Sequence, residues 1–266
     1  MYNEEIKKHV KGDLLLKHIQ SVQNPQVKQW KKLQTKKERD KTGLFIVEGF
    51  HLVEEALKQR EQVLEIIISD KAELPPRWDT GSVSITLVTE EISNTLSDTE
   101  APQGIYAICR QEGSETALNN AKTFLFIDAV QDPGNLGTMI RTADAAGIEA
   151  VIVGLGSVDI FNAKVLRSAQ GSHFHLPIVR GDLNEWIQIL KGKNIPVYGT
   201  ALENASVYTE TKTSESFALV VGNEGAGVSK EILSNTTANL YIPIYGKSES
   251  LNVAVATGIL LYYLKK

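Results

Sequence analysis

The sequence predicts an α/β protein in which a parallel-sheet domain forms the C-terminal half and a smaller α/β domain precedes it. Two observations carry this prediction. From residue 123 onward, short apolar runs alternate with segments of helical periodicity, the order that builds a parallel sheet covered on both faces. The run Phe217–Val221 stops at Gly222, where glycines and polar residues begin. Ligands of open α/β sheets bind beyond the carboxyl ends of strands, so this point is a candidate site.

Composition indicates an ordinary soluble globular protein. With 266 residues, of which 23% are charged, the chain has material for one large domain or two ordinary ones. Cys109 is the only cysteine and stands in an apolar run, so we expect a core residue, no disulfide framework and no metal site. The charged N-terminus has no stretch of signal-peptide type, and Leu251–Leu264 is too short to cross a bilayer. We therefore expect a cytoplasmic protein with no membrane association.

Charge is distributed unevenly along the chain. Residues 1–41 contain eleven Lys or Arg and five acidic residues, a net charge of +6, and the whole chain carries −4, so the remainder carries −10. A basic block on an acidic chain suits a partner with a phosphate backbone. A charge run more often forms a solvated helix face, so charge alone leaves both interpretations open.

The first half of the chain is interpreted as a small α/β domain at residues 21–110, after an N-terminal extension at 1–20. Its helices are expected where apolar residues repeat at helical spacing, at Ser21–Lys41, His51–Arg60 and Ile92–Leu96. Its strands are expected where β-branched residues are concentrated, at Leu44–Val47, Leu64–Ser69, Val83–Val88 and Gly104–Cys109. The polar residues 111–122 are interpreted as a linker to the second domain at 123–266.

The second domain alternates strands with helices. Strands are expected at Thr123–Val130, Ala150–Val153, Leu176–Val179, Pro196–Ala201, Phe217–Val221 and Leu240–Ile244. Helices are expected at Asn135–Ala146, Ala163–Gln170, Leu183–Lys191, Ser229–Ser234 and Ser250–Leu264. The last helix is apolar on all sides, so it should be buried inside the protein or against another subunit.

Two loops that follow strands match nucleotide-binding motifs only in part. Gly154-Leu-Gly156 lacks the third glycine of a dinucleotide fingerprint, and the loop at 222–227 has no lysine for a phosphate loop. A third loop begins at Asp132 and leads into a helix whose N-cap we expect to be Asn135. Arg141 lies off the buried stripe of that helix, so it is either a functional residue or part of a surface salt bridge.

Three motifs in the second half occur in the order and spacing of a known family. They are Asn135-x-Gly137-x-x-x-Arg141, then Gly222-Asn-Glu-Gly225, then Ile242-Pro-Ile244 followed by Ser250-Leu-Asn252-Val-Ala. Through them the chain resembles the SpoU (TrmH) family of S-adenosylmethionine-dependent RNA ribose 2′-O-methyltransferases, in the SPOUT superfamily. The first half is similar to that family's substrate-binding domain in Asn24-Pro25-Gln-Val-Lys28, the lysine-rich helix, and Gly43-Leu-Phe-Ile-Val-Glu48-Gly49.

The resemblance implies a fold, a cofactor and an assembly. The catalytic domain would be a parallel sheet whose C-terminal segment forms a trefoil knot, a rare exception among protein chains. The smaller domain would share an RNA-binding fold with certain ribosomal proteins. Family members are homodimers that bind S-adenosyl-L-methionine at the subunit interface. The cofactor-binding residues implied for this chain are Ala201, Leu202, Gly222, Ile242, Ile244 and Leu251.

The catalytic residues implied by the resemblance are Asn135, Arg141, Glu224, Ser250 and Asn252. The family assigns proton abstraction from the ribose hydroxyl to the arginine that matches Arg141. Because arginine stays protonated in proteins, we favour a clamp on the developing alkoxide and a neighbouring phosphate, with Asn135 holding the guanidinium. Whether Arg141 acts as base or clamp stays open at this point. Glu224, Ser250 and Asn252 would shape the pocket for cofactor and ribose.

Ribosomal RNA is the expected substrate, because the first domain suits structured RNA. The alternatives are a tRNA 2′-O-methyltransferase, a catalytically silent RNA-binding protein on the same scaffold, and a different, nucleotide-dependent α/β enzyme. The intact motifs argue against the silent protein. The third alternative lacks a phosphate-loop signature in the sequence.

Overall fold

The computed structural model of the protein describes residues 17–111 and 115–265 and divides the chain into two compact units. The first unit holds the described residues up to 111 together with Phe161–Ala163, and the second holds the rest. Most of the expected extension at 1–20 lies outside the described residues. Among those that are described, no helix is both long and apolar enough to span a membrane.

The first unit is built on a five-stranded mixed sheet. Its strands are β1 (Lys17–Ile19), β2 (Leu44–Glu48), β3 (Val63–Ser69), β4 (Ser84–Val88) and β5 (Ile105–Arg110). They lie in the order β1-β4-β3-β5-β2, and β5 runs antiparallel to both of its neighbours. The prediction placed Lys17–Ile19 in the extension, because three residues with a single buried side chain show no strand pattern.

The helices of the first unit are α1 (Pro25–Lys32), α2 (Lys36–Thr42), α3 (Phe50–Lys58) and α4 (Glu90–Leu96). The expected single helix over Ser21–Lys41 was wrong, since the structure has two helices there. Thr35 accounts for the break, because its side chain accepts a hydrogen bond from the backbone N–H of Glu38 and so begins a new helix. Gly43 ends that helix in the left-handed region at φ 65°, which glycine adopts without strain.

The second unit is built on a seven-stranded sheet. Its strands are β6 (Thr123–Ile127), β7 (Ala150–Gly154), β8 (Ile178–Gly181), β9 (Val197–Thr200), β10 (Ser206–Val207), β11 (Phe217–Val221) and β12 (Ala238–Tyr241). They lie in the order β10-β12-β9-β11-β6-β7-β8, and every neighbouring pair is parallel. All residues of β6, β7 and β11 are buried. The parallel sheet predicted from the sequence is confirmed.

The helices of the second unit are α5 (Glu115–Asn120), α6 (Pro133–Ala145), α7 (Ala163–Ala169), α8 (Leu183–Gly192), α9 (Lys230–Asn235) and α10 (Val253–Leu264). Helix α5 lies inside the expected linker. The strand expected at Leu240–Ile244 ends at Tyr241, since Pro243 has no N–H to continue the ladder. Helix α10 begins three residues later than expected, at the point where Asn252 caps it.

Candidate active site

Four neighbouring strands of the second unit end at the same edge of its sheet, in the order β12, β9, β11, β6. Because these strands are parallel, the segments that follow them are brought together at this edge. The segments are 242–244 after β12, 201–202 after β9, 222–224 after β11, and 128–135 after β6. Strand order thus assembles three motifs that lie far apart in the sequence.

The loop after β6 enters α6 through Asp132. The Oδ1 atom of Asp132 accepts a hydrogen bond from the backbone N–H of Asn135 at 2.8 Å, and Pro133 occupies the first helical position. The expected N-cap, Asn135, therefore lies inside the helix, because the carboxylate just before a proline is the better cap. That backbone hydrogen bond, helped by Lys164, whose Nζ lies 3.4 Å from Oδ2, lowers the pKa of Asp132.

Glu224 ties the loop after β11 to the loop after β6. Its Oε2 accepts from the backbone N–H of Gln131 at 3.1 Å, and its Oε1 accepts from the backbone N–H of Asp132 at 3.0 Å and from Nδ2 of Asn135 at 3.1 Å. Desolvation raises the pKa of Glu224, but these hydrogen bonds together outweigh it, so the pKa lies below its ordinary value. Glu224 is therefore ionised at neutral pH.

Asn135 extends this connection to the C-terminal helix. Its Oδ1 accepts a hydrogen bond from Nδ2 of Asn252 at 2.9 Å. The Oδ1 of Asn252 in turn caps α10 by accepting from the backbone N–H groups of Ala254 at 2.9 Å and Val255 at 3.3 Å. The side chains of Glu224, Asn135 and Asn252 thus form one hydrogen-bonded chain, which we call the triad, linking residues from all three sequence motifs.

The structure does not bring Arg141 and Ser250 into the triad. Arg141 is exposed, six residues or about 9 Å along the axis of α6 from Asn135. No hydrogen bond or ion pair from the described residues holds its guanidinium. The expected contact from Asn135 is not formed, because the oxygen of Asn135 accepts from Asn252. Ser250 is also exposed, and its carbonyl accepts from Oγ of Ser248 at 2.8 Å.

Asn223 organises the loop at residues 222–227, which we call the glycine loop, and the sequence interpretation missed this role. Its Oδ1 accepts from the backbone N–H groups of Gly225 and Ala226, both at 3.0 Å, and its Nδ2 donates to the carbonyl of Ala129 at 2.9 Å. Two backbone hydrogen bonds with Gly227 close the loop. An Asn with a Gly two residues later is a typical side-chain turn, so the signal was in the sequence.

Gly222 is required by the backbone of its own loop. A Cβ atom at this position would lie 2.2 Å from the carbonyl carbon of Gly227 and from the nitrogen of Val228. A side chain at Gly222 would therefore collide with this loop, whether or not a cofactor is bound. The motif glycine of α6 has a similar role, since a Cβ at Gly137 would lie 2.5 Å from the carbonyl oxygen of Val165 in α7.

Two family models match nearly the whole described chain. The model described as "SpoU rRNA Methylase family" matches residues 122–262. The chain belongs to the SpoU rRNA methylase family. A second model, described as "MRM3-like substrate binding domain", matches residues 24–107. The resemblance inferred from the three motifs and from the first half of the chain is therefore confirmed.

Individual SpoU relatives span both units. The 23S rRNA (guanosine(2553)-2′-O)-methyltransferase RlmP of Bacillus subtilis (strain 168) is 54% identical over 94% of this chain and 100% of its own length. The AdoMet-bound rRNA methyltransferase of Sinorhizobium meliloti is 31% identical, with a TM-score of 0.83 over 93% of this chain and 96% of that one. The SpoU methyltransferase AviRb of Streptomyces viridochromogenes, in complex with AdoMet, is 25% identical, with a TM-score of 0.79 over 90% and 96%.

SpoU membership confirms the predicted activity, methyl transfer from S-adenosylmethionine to a ribose 2′-hydroxyl of RNA. The residues at the strand-end edge fit this cofactor. Leu202 and Leu251 are 75% and 38% exposed, and Ile242 and Ile244, which follow β12, are half-buried. Exposed apolar surface at a polar edge suits an aromatic base, and the ionised carboxylate of Glu224 suits a cationic sulfonium. Within residues 17–111 and 115–265 no cluster of His, Cys, Asp and Glu could hold a metal ion.

Proposed function

We propose that the methyl acceptor is a guanosine 2′-hydroxyl in 23S ribosomal RNA, at the position that corresponds to the one named for the Bacillus subtilis relative. The observation that carries this proposal is 54% identity over the full length of that relative, which includes the substrate-binding domain as well as the catalytic one. A ribosomal RNA substrate also supports the expected cytoplasmic location, which stays a prediction.

The substrate is tested by methylating isolated 23S rRNA and total tRNA with labelled S-adenosylmethionine, then mapping the product by nuclease digestion and mass spectrometry. The rRNA should come from a strain that lacks the gene for this protein, so that the target 2′-hydroxyl is not already methylated. We expect one 2′-O-methylguanosine in 23S rRNA and none in tRNA. Methylation of tRNA alone would overturn the proposal and favour the alternative of a tRNA 2′-O-methyltransferase.

We propose that the triad positions the reacting groups. When bound, S-adenosylmethionine would supply an electrophilic methyl group on its sulfonium and leave as S-adenosylhomocysteine, while the ribose hydroxyl releases its proton to solvent water. The protein has to align that hydroxyl and stabilise the charge that develops on its oxygen. The triad fixes the entrance of α6, the glycine loop and the start of α10 relative to one another. The pocket residues Ala201, Leu202, Gly222, Ile242, Ile244 and Leu251 would surround the cofactor.

In this proposal Arg141 clamps the alkoxide and an adjacent phosphate of the RNA. Its exposure and its lack of any hydrogen bond from the described residues leave all of its donors available to a substrate. Arginine remains charged at every relevant pH, so it can stabilise an oxyanion but is a poor proton acceptor. Ser250, also exposed, would contact cofactor or ribose at the same edge.

We propose further that the protein is a homodimer that associates through α10. This helix packs one face on α6 and the sheet, burying Ala254, Thr257, Leu261 and Leu264. On another face Val255 is 52% exposed and Tyr262, two turns later, is 60% exposed. A helix this apolar gains stability if a second copy covers that face.

The homodimer is tested by sedimentation of the wild type and of Val255→Asp. Placing a carboxylate in an apolar interface costs several kcal/mol, so we expect the variant to be a monomer at concentrations where the wild type is a dimer. Ile189→Asp on α8 is the matched control, because Ile189 is 47% exposed on another helix of the same unit. A monomeric wild type, or equal dissociation in both variants, would contradict this interface.

A further inference from the structure

Six exposed lysines lie on the first two helices of the first unit, and we call them the lysine face. They are Lys28, Lys31, Lys32, Lys36, Lys37 and Lys41. In α1 the lysines at positions 28, 31 and 32 follow the i, i+3, i+4 spacing that places side chains on one side of a helix. The opposite side of α1 buries Val27 and Trp30 in the core.

Acidic residues offset only part of the charge of the lysine face. Lys41 lies 4.0 Å from Glu38, the limit of an ion pair, and that pair is largely exposed. The other five lysines form no ion pair with any residue in the described ranges 17–111 and 115–265. The whole chain is acidic, with a net charge of −4, yet helix α1 contains no acidic residue and helix α2 contains only Glu38 and Asp40.

Two of these lysines occupy the helix N-terminus, where the helix dipole disfavours a positive charge. Lys36 and Lys37 occupy the first turn of α2, directly after the cap Thr35. The partial positive charge at the start of a helix favours acidic side chains and disfavours cations. Glu38 supplies the favourable acidic charge in that turn, and Lys36 and Lys37 add two cations beside it that the helix does not need for its stability. Their placement favours a role in binding a partner.

Hydrogen bonds hold the two helices that carry the lysine face in place. Glu65 of β3 accepts hydrogen bonds from Nε2 of Gln26 at 3.0 Å and from Nε1 of Trp30 at 3.2 Å, which anchors α1 to the sheet. The guanidinium of Arg39 is buried and donates to the carbonyl of Leu33 at 2.7 Å, which holds α2 against the end of α1. Because the two helices are held in place, binding of a ligand costs little backbone conformational entropy.

We propose that the lysine face binds the phosphate backbone of the substrate RNA. The inference rests on the proposed function, and it assigns the contact to one surface within the substrate-binding domain. Ammonium groups recognise phosphates as point charges without reading base identity. The face therefore supplies affinity and salt dependence, and selection of the nucleotide is left to other contacts.

The test compares two triple variants of the full-length protein that lose the same charge. Lys28→Gln, Lys32→Gln and Lys36→Gln remove half of the face, and Lys71→Gln, Lys191→Gln and Lys212→Gln are the control at exposed lysines elsewhere. Binding is measured from low to moderate salt on a 23S rRNA fragment and on an unrelated RNA duplex. The first variant should bind both RNAs at least tenfold more weakly, with a log–log salt slope smaller by about 2 to 3.

The lysine-face variant should retain wild-type circular dichroism and wild-type affinity for S-adenosylmethionine, and the control should bind RNA as the wild type does. Equal RNA affinity and equal salt slope in both triple variants would overturn the inference, while methylation of 23S rRNA by the wild type would leave the proposed function standing. If the wild type methylates another RNA, the proposed function fails, and the same comparison of variants on that RNA decides the role of the lysine face.

Discussion

Asn252 donates a hydrogen bond from Nδ2 to Oδ1 of Asn135 at 2.9 Å, across 117 residues of sequence. Each of these residues has a second bond that fixes its orientation. The oxygen of Asn252 caps α10, and the amide of Asn135 donates to Glu224. Because each amide uses its oxygen and its nitrogen at once, neither side chain can rotate without losing bonds at both ends. This double use distinguishes the network from a set of independent surface contacts.

The double role of Asn252 can be separated by substitution. Asn252→Ser keeps a good helix cap but is too short to donate to Asn135, whereas Asn252→Ala loses both functions. We expect the serine variant to melt near the wild type, the alanine variant to lose about 1 kcal/mol of stability, and both to lose most of their methyl transfer. Thermal unfolding and single-turnover methylation check this. Full activity in the folded serine variant would remove the Asn135 contact from the mechanism.

Glu224 should make the stability of the second unit depend on pH. Its pKa in the folded protein lies below the ordinary 4.5, so the ionised carboxylate stabilises the fold above that pH, and this contribution is lost as the pH falls through the lowered pKa. Glu224→Gln has one acceptor oxygen for three donors and should cost about 1 kcal/mol at pH 7. Urea unfolding should show that the difference from wild type shrinks below pH 4.5.

The control for Glu224 is Glu210→Gln, a change at an exposed glutamate of the same unit. This variant should follow the wild-type pH profile. A difference between wild type and Glu224→Gln that stays constant from pH 7 down to below the lowered pKa would contradict the proposed ionised, hydrogen-bonded state.

The glycine loop should tolerate a methyl group at one position and not at another. In Gly222→Ala the new Cβ overlaps backbone atoms 2.2 Å away, whereas in Gly225→Ala its nearest neighbour is Oδ1 of Asn223 at 3.7 Å. We expect Gly222→Ala to cost about 1–3 kcal/mol of stability and to weaken S-adenosylmethionine binding, because the loop that carries Glu224 is displaced. Gly225→Ala should bind within about twofold of wild type. Calorimetry and thermal unfolding measure both effects, and equal behaviour of the two variants would be inconsistent with this packing.

Arg141 should matter for catalysis and not for folding. Its guanidinium is exposed and makes no ion pair with the described residues, so Arg141→Ala and Arg141→Lys should change stability by no more than about 0.5 kcal/mol. If it clamps alkoxide and phosphate bidentately, lysine is no substitute, and both variants should lose about 10²–10³ in single-turnover rate at unchanged cofactor affinity. Near-normal single-turnover rates with saturating RNA would show that Arg141 has no role in methyl transfer.

Local sequence patterns determined much of the fold. The strand Phe217–Val221 was predicted to the residue, because its apolar run and its terminating glycine are adjacent in sequence. Patterns failed where a single side chain decided the outcome. Thr35 split one helix into two, and Asp132 took the cap expected of Asn135, since capping depends on one hydrogen bond that residue periodicity does not report. The trefoil knot and the division at residues 111–122 stay predictions.

The sequence by itself determined the family, the alternation of strands and helices, and the residue types in the three motifs, because each of these is written in short contiguous stretches. Only the tertiary structure decided that Glu224, Asn135 and Asn252 touch, that Gly222 is needed by Gly227, and that Arg141 stands apart from them. These relations follow from the strand order β12-β9-β11-β6, which is settled by the packing of the whole sheet. Periodicity reports which side of an element is buried, and it carries no information on which elements become neighbours.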